Sequence, residues 1–299
     1  MPAFEHRAHA WADDLVISSW SAGPPDAPAV LMLHGYPQNH RACLPVARQL
    51  ARDHRVILTD LRGYGDSIGP APDDKHLRYS KRAMAADAAR VMDDLGIARF
   101  AVVGHDRGGR VAHRLALDHP ARVRCLSSLT VIPTPEMWGR VNLGFGLQAY
   151  HWFMLAQPSP LPEKLLAADP AFFLDFTLAR MAQGRDFIDP GALADYHRCF
   201  AKASVRLAMI EDYRAAASID REHDQADVAA GRRLACPVQV LWEQGRYAEG
   251  ETPVDIWRRW AMDVVGEPVA AGHLMMEEAP DEVATRVGTF LRTHAALKP

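Results

Sequence analysis

The 299-residue sequence has only four cysteines, and Cys43, Cys125, Cys199 and Cys236 stand too far apart for the paired spacing of a zinc site or a disulfide framework. Their mostly apolar neighbourhoods favour buried free thiols instead. Neither sign of charge is in large excess. A formal net charge of -3 removes the electrostatic basis for nucleic acid or an anionic membrane as partner. No apolar run is as long as a membrane span, and the N-terminal MPAFEHRAHAWADD lacks the apolar centre of a signal peptide, so a cytoplasmic protein is expected. Repeats and low-complexity tracts are absent as well. What remains is a chain with 48% hydrophobic residues, enough for a sizeable core.

Short apolar runs punctuate the chain: VLMLHG from Val30, RVILTD from Arg55, FAVVGHD from Phe100, CLSSLTVI from Cys125 and VQVLWE from Val238. They are continuous rather than alternating, as strands covered on both faces are, and helix-like segments separate them. One such helix is SKRAMAADAARVMDDL, Ser80 to Leu95, whose apolar positions share a face and which Gly96 terminates. A mostly parallel, doubly wound α/β sheet follows. From Pro133 to about Gly231 the strand runs stop, aromatic residues and methionines concentrate, and helical patterns take over. This predicts a helical cap over residues 133–231 inserted into a core made of residues 1–132 and 232–299. The chain then ends in the amphipathic EEAPDEVATRVGTFLRTH.

The chemistry concentrates in VVGHDRGGR, positions 102–110. Gly104, Gly108 and Gly109 give the backbone room to turn sharply from strand to helix and thrust Asp106 into open space. In the G-x-S-x-G form of this elbow the exposed residue is serine. A carboxylate there attacks carbon directly and forms an ester, which suits displacement of a leaving group from an sp³ carbon. The plainer alternative is that Asp106 only caps the following helix. Two companions favour catalysis. LHGYPQ, Leu33 to Gln38, follows an early strand, so the backbone N–H groups of Tyr36 and Arg107 are expected to form an oxyanion hole. His273 lies after the last apolar run and before the final helix, where a general base belongs. DLRGYGDS from Asp60 reads as a scaffolding turn.

With these residues in place the chain resembles the α/β-hydrolases over essentially its full length. More narrowly it resembles the fluoroacetate (haloacetate) dehalogenases, whose elbow reads HDRG followed by a second arginine. YHWFMLAQPSPLPE at 150–163 and EDYRAAASIDREHD at 211–224 are similar to that group's lid signatures. The arginines then acquire a purpose. Arg107 and Arg110, three apart on one helix, would clamp a substrate carboxylate and offset its repulsion from Asp106. The resemblance implies that His151, Trp152 and Tyr213 face the departing halide, while Trp138, Phe153, Phe172 and Phe173 merely pack. It implies a homodimer too. The reaction it implies is displacement of halide by Asp106, then hydrolysis of the ester by water that His273 activates. Fluoroacetate or chloroacetate would give glycolate, with neither metal nor organic cofactor required.

One position departs from the pattern. The relatives place an aspartate that orients the histidine at the end of the strand before the lid, and here that position is Thr130. A threonine accepts a hydrogen bond without offsetting an imidazolium charge. Some hydrolases of this fold take the acid from the strand after the lid, which makes Glu243 in LWEQGR a candidate substitute although it falls earlier in the loop than that acid normally does; Glu249 and Glu251 are weaker candidates. Three readings stay open: a haloacid dehalogenase, an epoxide hydrolase, and a carboxylate-binding homologue impaired in catalysis.

Overall fold

The computed structural model describes residues 3–247 and 250–295. The apolar runs form strands: β1 (Glu5–Ala12), β2 (Leu15–Ala22), β3 (Ala29–Leu33), β4 (Arg55–Thr59), β5 (Phe100–His105), β6 (Val123–Leu129), β7 (Val238–Glu243) and β8 (Val264–Val269). They join one eight-stranded sheet in the order β1-β2-β4-β3-β5-β6-β7-β8. The pairs from β4 through β8 are parallel, and β1 and β2 add an antiparallel edge.

Helices α1 (Leu44–Leu50), α2 (Lys81–Asp94) and α3 (Arg107–Asp118) precede β6. Ser80 caps α2 by accepting the Ala83 N–H, and Gly96 adopts φ 70° just past its end, as the sequence predicts. Between β6 and β7 the chain forms α4 (Thr134–Trp138), α5 (Leu143–Gln148), α6 (Tyr150–Leu155), α7 (Leu161–Ala168), α8 (Pro170–Met181), α9 (Pro190–Phe200), α10 (Ala203–Ala217) and α11 (Ile219–Ala229). These make the helical cap. The chain closes with α12 (Pro253–Trp257), α13 (Met275–Glu278) and α14 (Pro280–His294).

Alternate side chains of each strand point to opposite faces, so the sheet has two cores. Leu31, Ile57 and Val102 meet Met84 and Val91 of α2 and Leu115 of α3 in one cluster that continues into the cap. Val30, Met32 and Val103 meet Val46 of α1 and Val287 and Leu291 of α14 in the other. All six residues of β5 are buried. Each large apolar side chain so buried contributes about 1.5–3 kcal/mol. This doubly covered central strand is a rigid mount for whatever follows it, and Asp106 does.

The four cysteines are buried and free, and no helix among the described residues is long and apolar enough to cross a membrane. Phe172, expected to pack, is instead 65% exposed and stacks on Phe176.

Candidate active site

Asp106 occupies the turn between β5 and α3 with φ 47° and ψ −114°. A non-glycine residue held there stores about 1–3 kcal/mol of backbone strain, which persists only where the surroundings enforce it. Here close backbone packing does so. A Cβ on Gly108 would lie 2.4 Å from the His34 carbonyl oxygen, and one on Gly104 would lie 2.5 Å from the Gly108 oxygen. Although Asp106 stands at the N-cap of α3, its side chain caps nothing. The carboxylate turns away, with Oδ1 accepting the Tyr36 N–H at 2.9 Å and Oδ2 facing His273 Nε2 at 3.6 Å. Among the described residues no hydrogen bond joins the Arg107 N–H to this carboxylate, so Tyr36 alone supports Oδ1 in the resting state.

His273 follows β8 on the turn before α13, and its carbonyl accepts a hydrogen bond from His105 Nε2 at 2.7 Å. Its Nδ1 lies 3.3 Å from Oε1 of Glu243, the last residue of β7. Thus Glu243 is the acid that reaches the histidine. Thr130 adopts φ 66° and its buried Oγ1 has no hydrogen-bond partner. Glu251 pairs with Arg140 and Arg259 instead, and Glu249 lies outside the described residues.

The three groups polarise one another. Burial would lower the His273 pKa, but the Asp106 and Glu243 carboxylates outweigh it and raise it to about 9. Burial would raise Glu243, yet Arg246, 2.5 Å from its Oε1, and His273 bring it down to about 2. Burial likewise opposes ionisation of Asp106, and His273 prevails and holds it well below the carboxylate range. At neutral pH the resting site is therefore an imidazolium between two carboxylates.

The arginine pair requires a correction. Arg107 is fully buried and does not line the cavity. Its Nε and Nη2 are taken by Asp212 of α10 at 2.9 and 2.5 Å, leaving Nη1 without a hydrogen-bond partner. Asp212 also pairs with Lys81 and accepts the Tyr64 hydroxyl. A symmetrical two-arginine fork on substrate is thus absent from this arrangement. Arg110 is different. Its Nη1 bonds the Ile132 carbonyl and Thr134 Oγ1, its Nε is unpartnered, and it borders the cavity beside Asp106. Burial and the neighbouring Arg107 lower its pKa to about 10, so it stays cationic at neutral pH.

The cavity has a volume of about 430 Å³ and is bounded by Asp106, Arg110, Glu243 and His273 from the core and by His151 and Trp152 from the cap. Burial brings His151 down to about 4, making it a neutral ring at pH 7, and it stacks on Tyr36. Tyr213 stands edge-on to Tyr36, His151 and Trp152, with its buried hydroxyl unpartnered. Asp212, Lys81 and Arg246 are neighbours of the site that the sequence motifs alone do not pick out. The signal for Asp212 was available, since it sits within EDYR beside Tyr213.

Strand–elbow–helix, a carboxylate on the elbow, and a histidine after the last strand are the α/β-hydrolase arrangement. The alpha/beta hydrolase fold family matches residues 28–226, and the chain belongs to that family. Within it the chain falls with the fluoroacetate-dehalogenase-like proteins. A fluoroacetate dehalogenase from Burkholderia sp is 39% identical over 268 residues, covering 88% of this chain and 87% of the relative. A soluble epoxide hydrolase from Corynebacterium sp. (strain C12) is 28% identical over 90% of this chain and 91% of its own. Among solved structures, a “putative epoxide hydrolase” from Pseudomonas aeruginosa superposes with a TM-score of 0.92 at 50% identity, covering 98% of this chain and 97% of that one. A threonine-to-aspartate mutant of such a Pseudomonas protein, with bound MFA, is equally similar.

Proposed function

We propose that this hydrolase is a dehalogenase of short 2-haloacids, acting on fluoroacetate or chloroacetate through an ester on Asp106. Residues 1–132 and 232–299 serve as its core and 133–231 as its cap. The observation that carries the reading is the division of labour on the Asp106 carboxylate. Oδ1 is held by the Tyr36 N–H while Oδ2 faces His273 across a cavity that Arg110 borders.

Oδ2 is the attacking atom. It displaces halide from the α-carbon of a substrate whose carboxylate is drawn to Arg110, with Arg107 Nη1 behind it. The leaving halide takes hydrogen bonds from His151, Trp152 and Tyr213, each contributing about 1.5–3 kcal/mol when it strengthens in the transition state. The ester leaves Oδ1 as a carbonyl oxygen already in contact with the Tyr36 N–H, and the Arg107 N–H joins as negative charge develops there. Esterification also removes the negative charge of Asp106, which is the principal partner raising the His273 pKa. The imidazolium then releases its proton and the neutral ring becomes a base. It takes one proton from water as the water oxygen adds to the ester carbonyl carbon; the bond from that carbon to the substrate oxygen then breaks, the departing oxygen takes the proton of the added hydroxyl, and the 2-hydroxy acid leaves, with the Asp106 carboxylate restored. Glu243 steadies the imidazolium that forms.

The test is intact-mass measurement of a His273→Ala variant mixed with chloroacetate. A stable carboxymethyl adduct on Asp106 is expected, and an unmodified protein with no chloride released overturns the reading. The names of the epoxide-hydrolase relatives support a second reading, in which Tyr213 and His151 protonate an epoxide oxygen. Arg110→Ala separates the two, because a neutral epoxide gains nothing from a cation beside the nucleophile. Diol formation that survives this substitution favours the second reading, and halide release that is lost favours the first.

A further inference from the structure

The cavity is larger and more positive than a two-carbon haloacid requires. At about 430 Å³ it falls in the range of sites for drug-sized ligands. Four of its bordering groups are cationic, Arg110, Arg180, Arg246 and His273, against two carboxylates, Asp106 and Glu243. Arg107 adds no further excess, because Asp212 and Asp220 together balance Arg107 and Lys81. Arg246 pairs with Glu243, and His273 is shared by both acids. Two cations are left without a carboxylate among the described residues. Arg110 projects from α3 of the core, and Arg180 from α8 of the cap. Arg180 gives Nη2 to the Leu147 carbonyl at 3.2 Å and lies over the Phe176 ring, and neither contact neutralises it. Neutral polar side chains, Gln148, Tyr150 and Gln183, accompany it on the cavity wall.

A monocarboxylate satisfies Arg110 and leaves Arg180 unpaired, whereas a second anionic group would satisfy both. We infer that the preferred substrate is a short 2-halodicarboxylate, of the 2-chlorosuccinate class, whose distal carboxylate is bound by Arg180. This rests on the dehalogenase reading above. Asp106 Oδ2 forms the new C–O bond at C2 as the C–Cl bond breaks, with both bonding electrons leaving on chloride. Water then cleaves the ester, so one diacid and one water give 2-hydroxysuccinate, chloride and a proton. No oxidant or further co-reactant enters. Because Arg180 is exposed as well as bordering the cavity, selectivity arises by attraction as well as contact, since an exposed cation steers a dianion more strongly than a monoanion and loses that advantage in salt.

Chloride release from 2-chlorosuccinate, from its 4-monomethyl ester and from chloroacetate tests the inference. The half-ester removes the distal charge at the cost of one added methyl group and keeps the carboxylate next to the reacting carbon. We expect kcat/KM for the diacid to exceed that for the half-ester about tenfold or more, the range of one charge-assisted hydrogen bond. Arg180→Gln should collapse that ratio towards one, and added salt should shrink it in the parent enzyme. Equal turnover of diacid and half-ester, or a ratio that Arg180→Gln leaves untouched, overturns the inference while chloroacetate turnover keeps the dehalogenase reading intact. Absence of chloride from all three compounds overturns both.

Discussion

Glu243 Oε1 lies 3.3 Å from His273 Nδ1 at the end of β7, while Thr130 at the end of β6 offers the histidine no charge. On the proposed mechanism Glu243 serves as the orienting acid, one strand away from the position of Thr130. Glu243→Gln keeps the shape and removes the charge that steadies the imidazolium during ester hydrolysis. By analogy with loss of the acid from a serine-protease triad, the second stage should slow by about 10²–10⁴. Halide release should become a burst, with the ester visible by intact mass. Adding Thr130→Asp to that variant should restore part of the steady-state rate, and unchanged steady turnover in Glu243→Gln would remove Glu243 from the mechanism.

Gly108 tests the elbow. An alanine Cβ there would meet the carbonyl oxygens of His34 and Leu33, each at 2.4 Å, and these are backbone atoms that no rotamer change can move. Gly108→Ala should cost about 1–3 kcal/mol of stability. It should also slow alkylation by prising the Tyr36 loop from Asp106. Thermal melts and single-turnover halide release read the two effects, and a variant with parental values in both would show that the close approach is unimportant.

Asp212 occupies two of the three nitrogens of Arg107 and pairs with Lys81, all of them buried. Removing one partner from such a cluster leaves uncompensated charge and costs about 3–5 kcal/mol. Asp212→Asn should therefore lower the melting temperature, and KM for haloacid should rise as Arg107 loses its fixed orientation. Chemical denaturation with steady-state kinetics checks this, and an unchanged midpoint would contradict the ion cluster.

Stability should decline from neutral to alkaline pH, and two groups with raised pKa values drive it. Burial raises the pKa of Glu277, bonded to Tyr196 and Gln38, to about 7. A carboxyl raised in the folded state binds its proton more tightly there than when unfolded. Its contribution is complete below the unfolded value of about 4.3 and is lost as pH rises through 7. His273, raised to about 9, contributes fully below about 6.5 and loses that contribution between there and 9. Melting temperature should fall from about pH 7 to 9, because below about 6.5 the buried neutral rings of His105, His113 and His151, lowered to about 4, 3 and 4, oppose Glu277 by resisting protonation. A parent enzyme that becomes more stable between pH 7 and 9 would refute the His273 assignment, and a Glu277→Gln variant with the parent's profile below pH 7 would refute that of Glu277.

Much of this fold is legible in the sequence because fully buried strands leave an unbroken apolar signature. β3 to β7 coincide closely with the runs from Val30, Arg55, Phe100, Cys125 and Val238. β1 escapes notice for the opposite reason. As an edge strand with mostly exposed residues and only His9 buried, EHRAHAWA carries no apolar run to detect. β8 escapes similarly, since Gly266, Glu267 and Pro268 interrupt it. In the site, Asp106 and His273 are visible because local motif and chain order constrain them. The partner of Arg107 is not, because the choice between a substrate carboxylate and Asp212, 105 residues away, is made only by tertiary packing.

Asp212 and Tyr213 are consecutive residues of α10, one neutralising an arginine at the base of the reaction chamber and the other backing its ceiling. Cap and core are consequently not interchangeable parts. A lid grafted from a cousin with a neutral residue in place of Asp212 would bring a new roof and strand a bare guanidinium beneath it. Recombination within this lineage should succeed only where the crossover carries Arg107, Lys81 and α10 together.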